Sequence, residues 1–106
     1  MSGFDDRENA FENKFAHDQE LEFKAVARRN KLLGLWAAEL MGLTGDEAET
    51  YGKEVVKADF EEAGHEDVFR KVRGDFDARG IEQSDHQIRH KMEQLLDEAR
   101  EQVRNG

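Results

Sequence analysis

The sequence predicts an all-α protein, a small four-helix bundle with an N-terminal extension that is either flexible or helical. Three observations point there. The 106 residues contain no proline, the strongest helix breaker, so periodic patterns run far without interruption. From Leu21 onward, apolar residues recur at helical spacing in four successive runs. Between the runs stand glycines and capping-box signatures, which end and start helices. At this length the chain is one domain with a modest core.

The first third changes character halfway. Between residues 4 and 15 the large apolar residues are Phe4, Phe11 and Phe15. At 100° per residue they fall within about 40° of one another, a narrow aromatic stripe. Around them stand Asp5, Asp6, Arg7, Glu8, Glu12 and Lys14. So narrow a stripe cannot anchor a short helix in water. It is expected to fray when free and to order in a partner's groove, or else to fold back on its own bundle. From Leu21 the stripe widens to Leu21, Ala25, Leu32, Trp36 and Leu40, the expected core face of a helix starting between His17 and Leu21 and ending near Met41. With no break signal, residues 5–41 are expected to form one rod when bound, if the N-terminal segment becomes helical there. Gly34 inside it predicts a close backbone contact or a bend, and Gly42 a C-cap.

Thr44 and Glu47 have capping-box spacing for a second helix with the stripe Ala48, Tyr51, Gly52, Val55 and Ala58, ending near Gly64. Gly52 on that face would admit a close neighbour. Glu66 and Asp67 suit the positive end of a third helix, whose face is Val68, Phe69, Val72 and Phe76 before Gly80 ends it. Ser84 and Gln87 cap a fourth helix, with Ile88, Met92, Leu95, Leu96, Ala99 and Val103 on one face. Arg100 and Arg104 sit at its negative end.

Two long motifs carry a resemblance. Ala27-Arg28-Arg29-Asn30-Lys31-Leu32-Leu33-Gly34 and Gly64-His65-Glu66-Asp67-Val68-Phe69-Arg70-Lys71, within a pattern running from Phe4 to about Val103, resemble the zeta-type inhibitor subunit of alphaproteobacterial F-type ATP synthases. The resemblance implies a non-enzymatic inhibitor of ATP hydrolysis that inserts its N-terminal segment at an α/β catalytic interface beside the rotating central stalk. On that basis residues 1–18 are the partner-binding segment and residues 19–106 the bundle. Phe4, Phe11 and Phe15 would be the anchors, while Asp5, Asp6, Arg7 and Lys14 set register and charge. The partners are then the α, β and central-stalk subunits of the catalytic head, and the free protein is expected to be a monomer.

Composition narrows the alternatives. A net charge of −9 argues against general nucleic-acid binding and against anionic membranes. No cysteine means no disulfide and no thiol chemistry. An acidic start in place of a basic n-region, with no long apolar run, predicts a cytoplasmic protein, peripheral to the inner membrane when bound to the synthase. His86 and His90 have metal-ligand spacing but lie opposite the apolar face, so they read as solvated, and no metal is expected. Residues 59–70 fail as a calcium loop, with Ala63 and Arg70 where ligands are needed. Gly52-Lys53 lacks the rest of a phosphate-binding loop. No cofactor is expected, which leaves room for weak adenine-nucleotide contact. A nucleotide-sensing bundle without an obligate protein partner is accordingly the alternative function. Arg28, Arg29 and Lys31 form a dense basic cluster, expected to pair within the molecule, with Glu20, Glu22, Glu39 or the stretch Glu61–Glu62 as candidates.

Overall fold

With no proline to interrupt it, the first run forms a single helix, α1 (Gly3–Leu40). It is followed by α2 (Asp46–Ala58), α3 (Glu66–Arg79) and α4 (Asp85–Asn105). The computed structural model describes the backbone of residues 3–60 and 66–105, and side chains from residue 17 onward within those ranges. At 1.5 Å per residue α1 measures about 57 Å, close to the 65 Å long axis of the molecule. α1 is the beam on which the other three helices are mounted, with α2 and α4 making the larger contacts with it. It runs through residues 17–21 without a break.

The predicted faces of α2, α3 and α4 are the buried ones. Leu33, Ala37 and Ala38 of α1 meet Tyr51, Val55, Val68, Phe69, Val72, Phe76, Ile88, Met92 and Leu95 in one cluster. Trp36 packs edge-on against Phe76, with ring centroids 5.7 Å apart. Ala99 is fully buried, and Leu96 and Val103 are half-buried at the edge of the α4 face.

The core face of α1 needs correction. Its buried residues are Ala25, Arg29, Asn30, Leu33, Gly34, Ala37 and Ala38, while Leu32 and Trp36 are half-buried and Leu40 is 38% exposed. That face is turned by about one residue, or 100°, from the predicted stripe. The reason is that α1 lies between two helices and buries two adjoining stripes. The buried face includes Gly34, Ala37 and Ala38, which carry little hydropathy, and the polar Arg29 and Asn30, while Lys31 and Leu35 also reach Gly52 of α2. A Cβ at Gly34 would lie 2.6 Å from the Gly52 Cα, so the close contact expected at both glycines is a backbone-to-backbone crossing.

The helix ends follow the capping signals except at the two ends of α2. Gly42 (φ 78°) ends α1 in a Schellman motif, its N–H donating to the Glu39 carbonyl at 3.1 Å and the Leu43 N–H to the Ala38 carbonyl at 2.8 Å. Gly80 ends α3 the same way, through Ile81 to Phe76. The Ser84 Oγ accepts from the Gln87 N–H at 3.0 Å, and the Gln87 side chain accepts from the Ser84 N–H at 2.8 Å, a complete capping box. Thr44 and Glu47 form no such box. The N-cap of α2 is Gly45, so the third helical position is Ala48, which has nothing to return. α2 also ends at Ala58, earlier than predicted. Its last turn tightens into three-residue bonds, Asp59 to Val56 and Phe60 to Lys57. Gly64 lies outside the described residues.

Candidate functional site

The positions singled out for partner binding, Phe4, Asp5, Asp6, Arg7, Phe11, Lys14 and Phe15, all lie on α1, and their side chains are outside the described residues. What the structure does describe is how that part of α1 is held. α4 runs antiparallel to α1: Lys91 lies over the Trp36 ring at 5.9 Å, whereas Arg100 reaches Glu22. α4 ends at Asn105, with Val103 and Arg104 beside His17 and Leu21. Residues 3–16 of α1 therefore lie beyond the last turn of α4.

Two polar ties fasten α1 to α4 at this level. Arg100 donates from Nε and Nη2 to both carboxylate oxygens of Glu22, at 2.7 to 3.2 Å. Forked contact of this kind fixes orientation as well as distance. Its hydrogen bonds to Glu22 outweigh desolvation and hold the Arg100 guanidinium above its ordinary pKa. Arg28 donates to the Gln102 side-chain carbonyl. Sequence reading assigned Arg100 only a helix-dipole role, because its partner lies 78 residues away.

The basic cluster of α1 is thus partly absorbed by the fold, as expected: Arg28 by Gln102, and Arg29 in part by Asn30. Arg29 is only 2% exposed and donates to the Asn30 side chain at 2.7 Å. Burial lowers its pKa, against which the nearby Asp59 acts. Glu20 pairs with Lys24 at 3.4 Å and Glu22 with Arg100. Glu61 and Glu62 lie outside the described residues, as does His65. Among the described residues, the Asn30 Nδ2 and the Oδ2 of buried Asp67 have no hydrogen-bond partner, while Asp67 accepts from Arg70 through Oδ1 at 2.6 Å.

A second polar network joins α2 to α3. The Tyr51 hydroxyl donates to Asp75 at 2.7 Å, and the Lys71 ammonium lies 3.0 Å from Asp75 and 3.4 Å from Glu54. Burial, then the bond to Asp75, pushes the Tyr51 phenol far above its ordinary pKa. Burial alone would lower the Lys71 ammonium, but Asp75 and Glu54 together raise it. Both raised groups stay protonated and serve as donors to carboxylates, a structural arrangement.

His86 and His90 stack with ring centroids 6.3 Å apart, and both are exposed. Among the described residues no group of three His, Cys, Asp or Glu side chains could hold a metal ion. No helix among the described residues is long and apolar enough to cross a membrane. Phe23 and Phe60, exposed at 67% and 74%, are aromatic residues to which sequence reading assigned no role.

Comparison with known proteins bears on the whole chain. The family model described as ATPase inhibitor subunit zeta matches residues 1–102. A protein solved by solution NMR is 55% identical to this chain, with a TM-score of 0.71; the match covers 80% of this chain and 96% of that one. No curated protein matches the sequence.

Proposed function

Because the chain belongs to the ATPase inhibitor subunit zeta family, we propose that it inhibits the F-type ATP synthase by inserting residues 1–18 at an α/β catalytic interface beside the rotor. The supporting observation is the course of α1. One unbroken helix leaves the bundle past the end of α4, and it carries phenylalanines at positions 4, 11 and 15 in helical register. A helix continuous with a folded bundle enters a groove with part of its ordering cost already met by the bundle. The three phenylalanines would anchor it, with Asp5, Asp6, Arg7 and Lys14 setting register at the rim. The bundle stays outside as a stop, so that the segment acts as a wedge against rotation in the hydrolysis direction more than in synthesis.

The chain performs no chemistry of its own in this mechanism and requires no cofactor. A weak adenine-nucleotide contact on the bundle would modulate docking without being needed for it. Free, the protein is a cytoplasmic monomer; bound, it sits with the α, β and central-stalk subunits at the inner membrane's cytoplasmic side.

Inhibition titrations against one cognate enzyme head test the anchor assignment. Phe11→Ala should raise the half-inhibiting concentration about tenfold or more, the equivalent of a buried aromatic worth over ~1 kcal/mol. Glu8→Ala should cost much less, because its charge would stay at a wetted rim. Equal damage from both would mean that charge, and not aromatic burial, drives docking.

A further inference from the structure

The seam between α1 and α4 at the root of the extension carries a cluster of basic side chains on an acidic chain. Of 106 residues, 25 are Asp or Glu. A seven-residue patch would then hold about one or two carboxylates on average. A groove of ≈ 560 Å³ between residues 17–28 of α1 and the last turns of α4 is lined, among the described residues, by none. Leu21 and Val103 give it apolar surface, and His17, Lys24, Arg28 and Arg104 give it its basic character. The seventh lining residue is Gln102, to which Arg28 donates; a neutral amide satisfies that guanidinium's geometry without cancelling its charge. Of the acids close by, Glu20 meets Lys24 in an exposed pair, a contact that counts for little in water. Glu22 and Asp97 are both turned to Arg100, and Asp18 lines the adjoining cleft, which shares Leu21 and Arg104 with the groove.

We propose that this groove is a second docking surface, and that its occupant is an acidic segment of the protein partner presenting an apolar side chain between carboxylates. The inference rests on the reading that residues 1–18 enter that same partner. Three features favour it. The charged groups run from Arg104, beside Leu21, to Lys24 and Arg28, about 10 Å along α1, which suits an extended segment better than one compact anion. Arginine forks match carboxylates, and Leu21 and Val103 offer the apolar contact that lysine-rich surfaces lack. The groove also begins at His17, within the last turn of the inserting segment, so both surfaces would engage one partner at once. Each then raises the effective concentration of the other. The forked Arg100–Glu22 contact keeps α1 and α4 in fixed relation while this happens.

The full-length chain serves for the test, as native protein, Phe11→Ala, Lys24→Glu/Arg104→Glu, and the milder Lys24→Gln/Arg104→Gln in case charge reversal harms folding. A glutamate-rich peptide interrupted by leucines is titrated first and followed by amide NMR. Shifts should centre on His17, Lys24, Arg28, Gln102 and Arg104 and be lost in both charge variants. Against the enzyme head, the Glu pair should raise the half-inhibiting concentration about tenfold or more, and the Gln pair less, with weaker dependence on salt than the native chain shows. Absence of peptide shifts in the native chain overturns the proposal. So do shifts caused by inorganic phosphate or ADP but not by peptide, and so does native potency in both charge variants. The two readings fail separately. Peptide shifts from a native chain that leaves the ATPase untouched would support the groove's chemistry and sink the inhibitor assignment. Loss of potency in Phe11→Ala with both charge variants fully potent would do the reverse.

Discussion

At the scale of single residues, the crossing of α1 and α2 turns on one carbon atom. A Cβ on Gly34 would meet the Gly52 Cα at 2.6 Å, and backbone cannot swing aside as a side chain can. A Cβ on Gly52 would have its nearest neighbour at 3.7 Å, ordinary contact distance. Gly34→Ala should therefore destabilise by about 1–3 kcal/mol through overpacking. Gly52→Ala should lie within about 1 kcal/mol of the native protein, on the stabilising side, because alanine favours helix. Paired urea titrations decide this, and equal losses would mean that the crossing is looser than its geometry. Tyr51 makes a different prediction. A folded pKa raised by burial and by Asp75 means stability fully present below the ordinary tyrosine pKa of about 10 and lost as pH rises beyond it. Lys71, also raised, acts in the same direction. Melting temperature should fall above about pH 10, and less steeply in Tyr51→Phe.

At the scale of elements, α4 shows how far periodicity alone reaches. Its apolar face and its capping box were both legible, because each is written within a few residues of sequence. Periodicity did not rank Leu95 against Leu96. Leu95 is buried in the core cluster, whereas Leu96 lines the half-open surface beside Arg29 and Met92. Leu95→Ala should cost about 2–5 kcal/mol and Leu96→Ala clearly less, about 1–2 kcal/mol, by chemical denaturation. A larger loss at Leu96 would reverse the face. The Thr44–Glu47 signature misled by one residue, since the backbone chose Gly45 as the cap and no local rule separates the two frames.

At the scale of the whole molecule, the proposed division into an inserting segment and a bundle has no counterpart in secondary structure, since α1 crosses the boundary unbroken. Removing residues 1–18 should abolish inhibition and leave the melting temperature of the bundle nearly unchanged, because the core cluster begins at Leu33 and even Ala25 lies beyond the cut. A fall of more than about 5 °C, equivalent to roughly 1 kcal/mol at this size, would place the three phenylalanines in the core instead.

The sequence by itself determined the helices, the faces of α2, α3 and α4, the glycine stops, the aromatic stripe and the family motifs. These depend on residues within a turn or two of one another, or on long unusual strings. Tertiary structure decided which side of α1 is buried, because glycine and alanine pack closely without registering as hydrophobic. It also decided what the charges do. Glu22 finds Arg100 across 78 residues and Arg28 finds Gln102 across 74. Only the antiparallel docking of α4 on α1 brings His17, Lys24, Arg28 and Arg104 around one groove. Charge pairing depends on distance in space, and a linear pattern holds no record of which helix end will lie beside which.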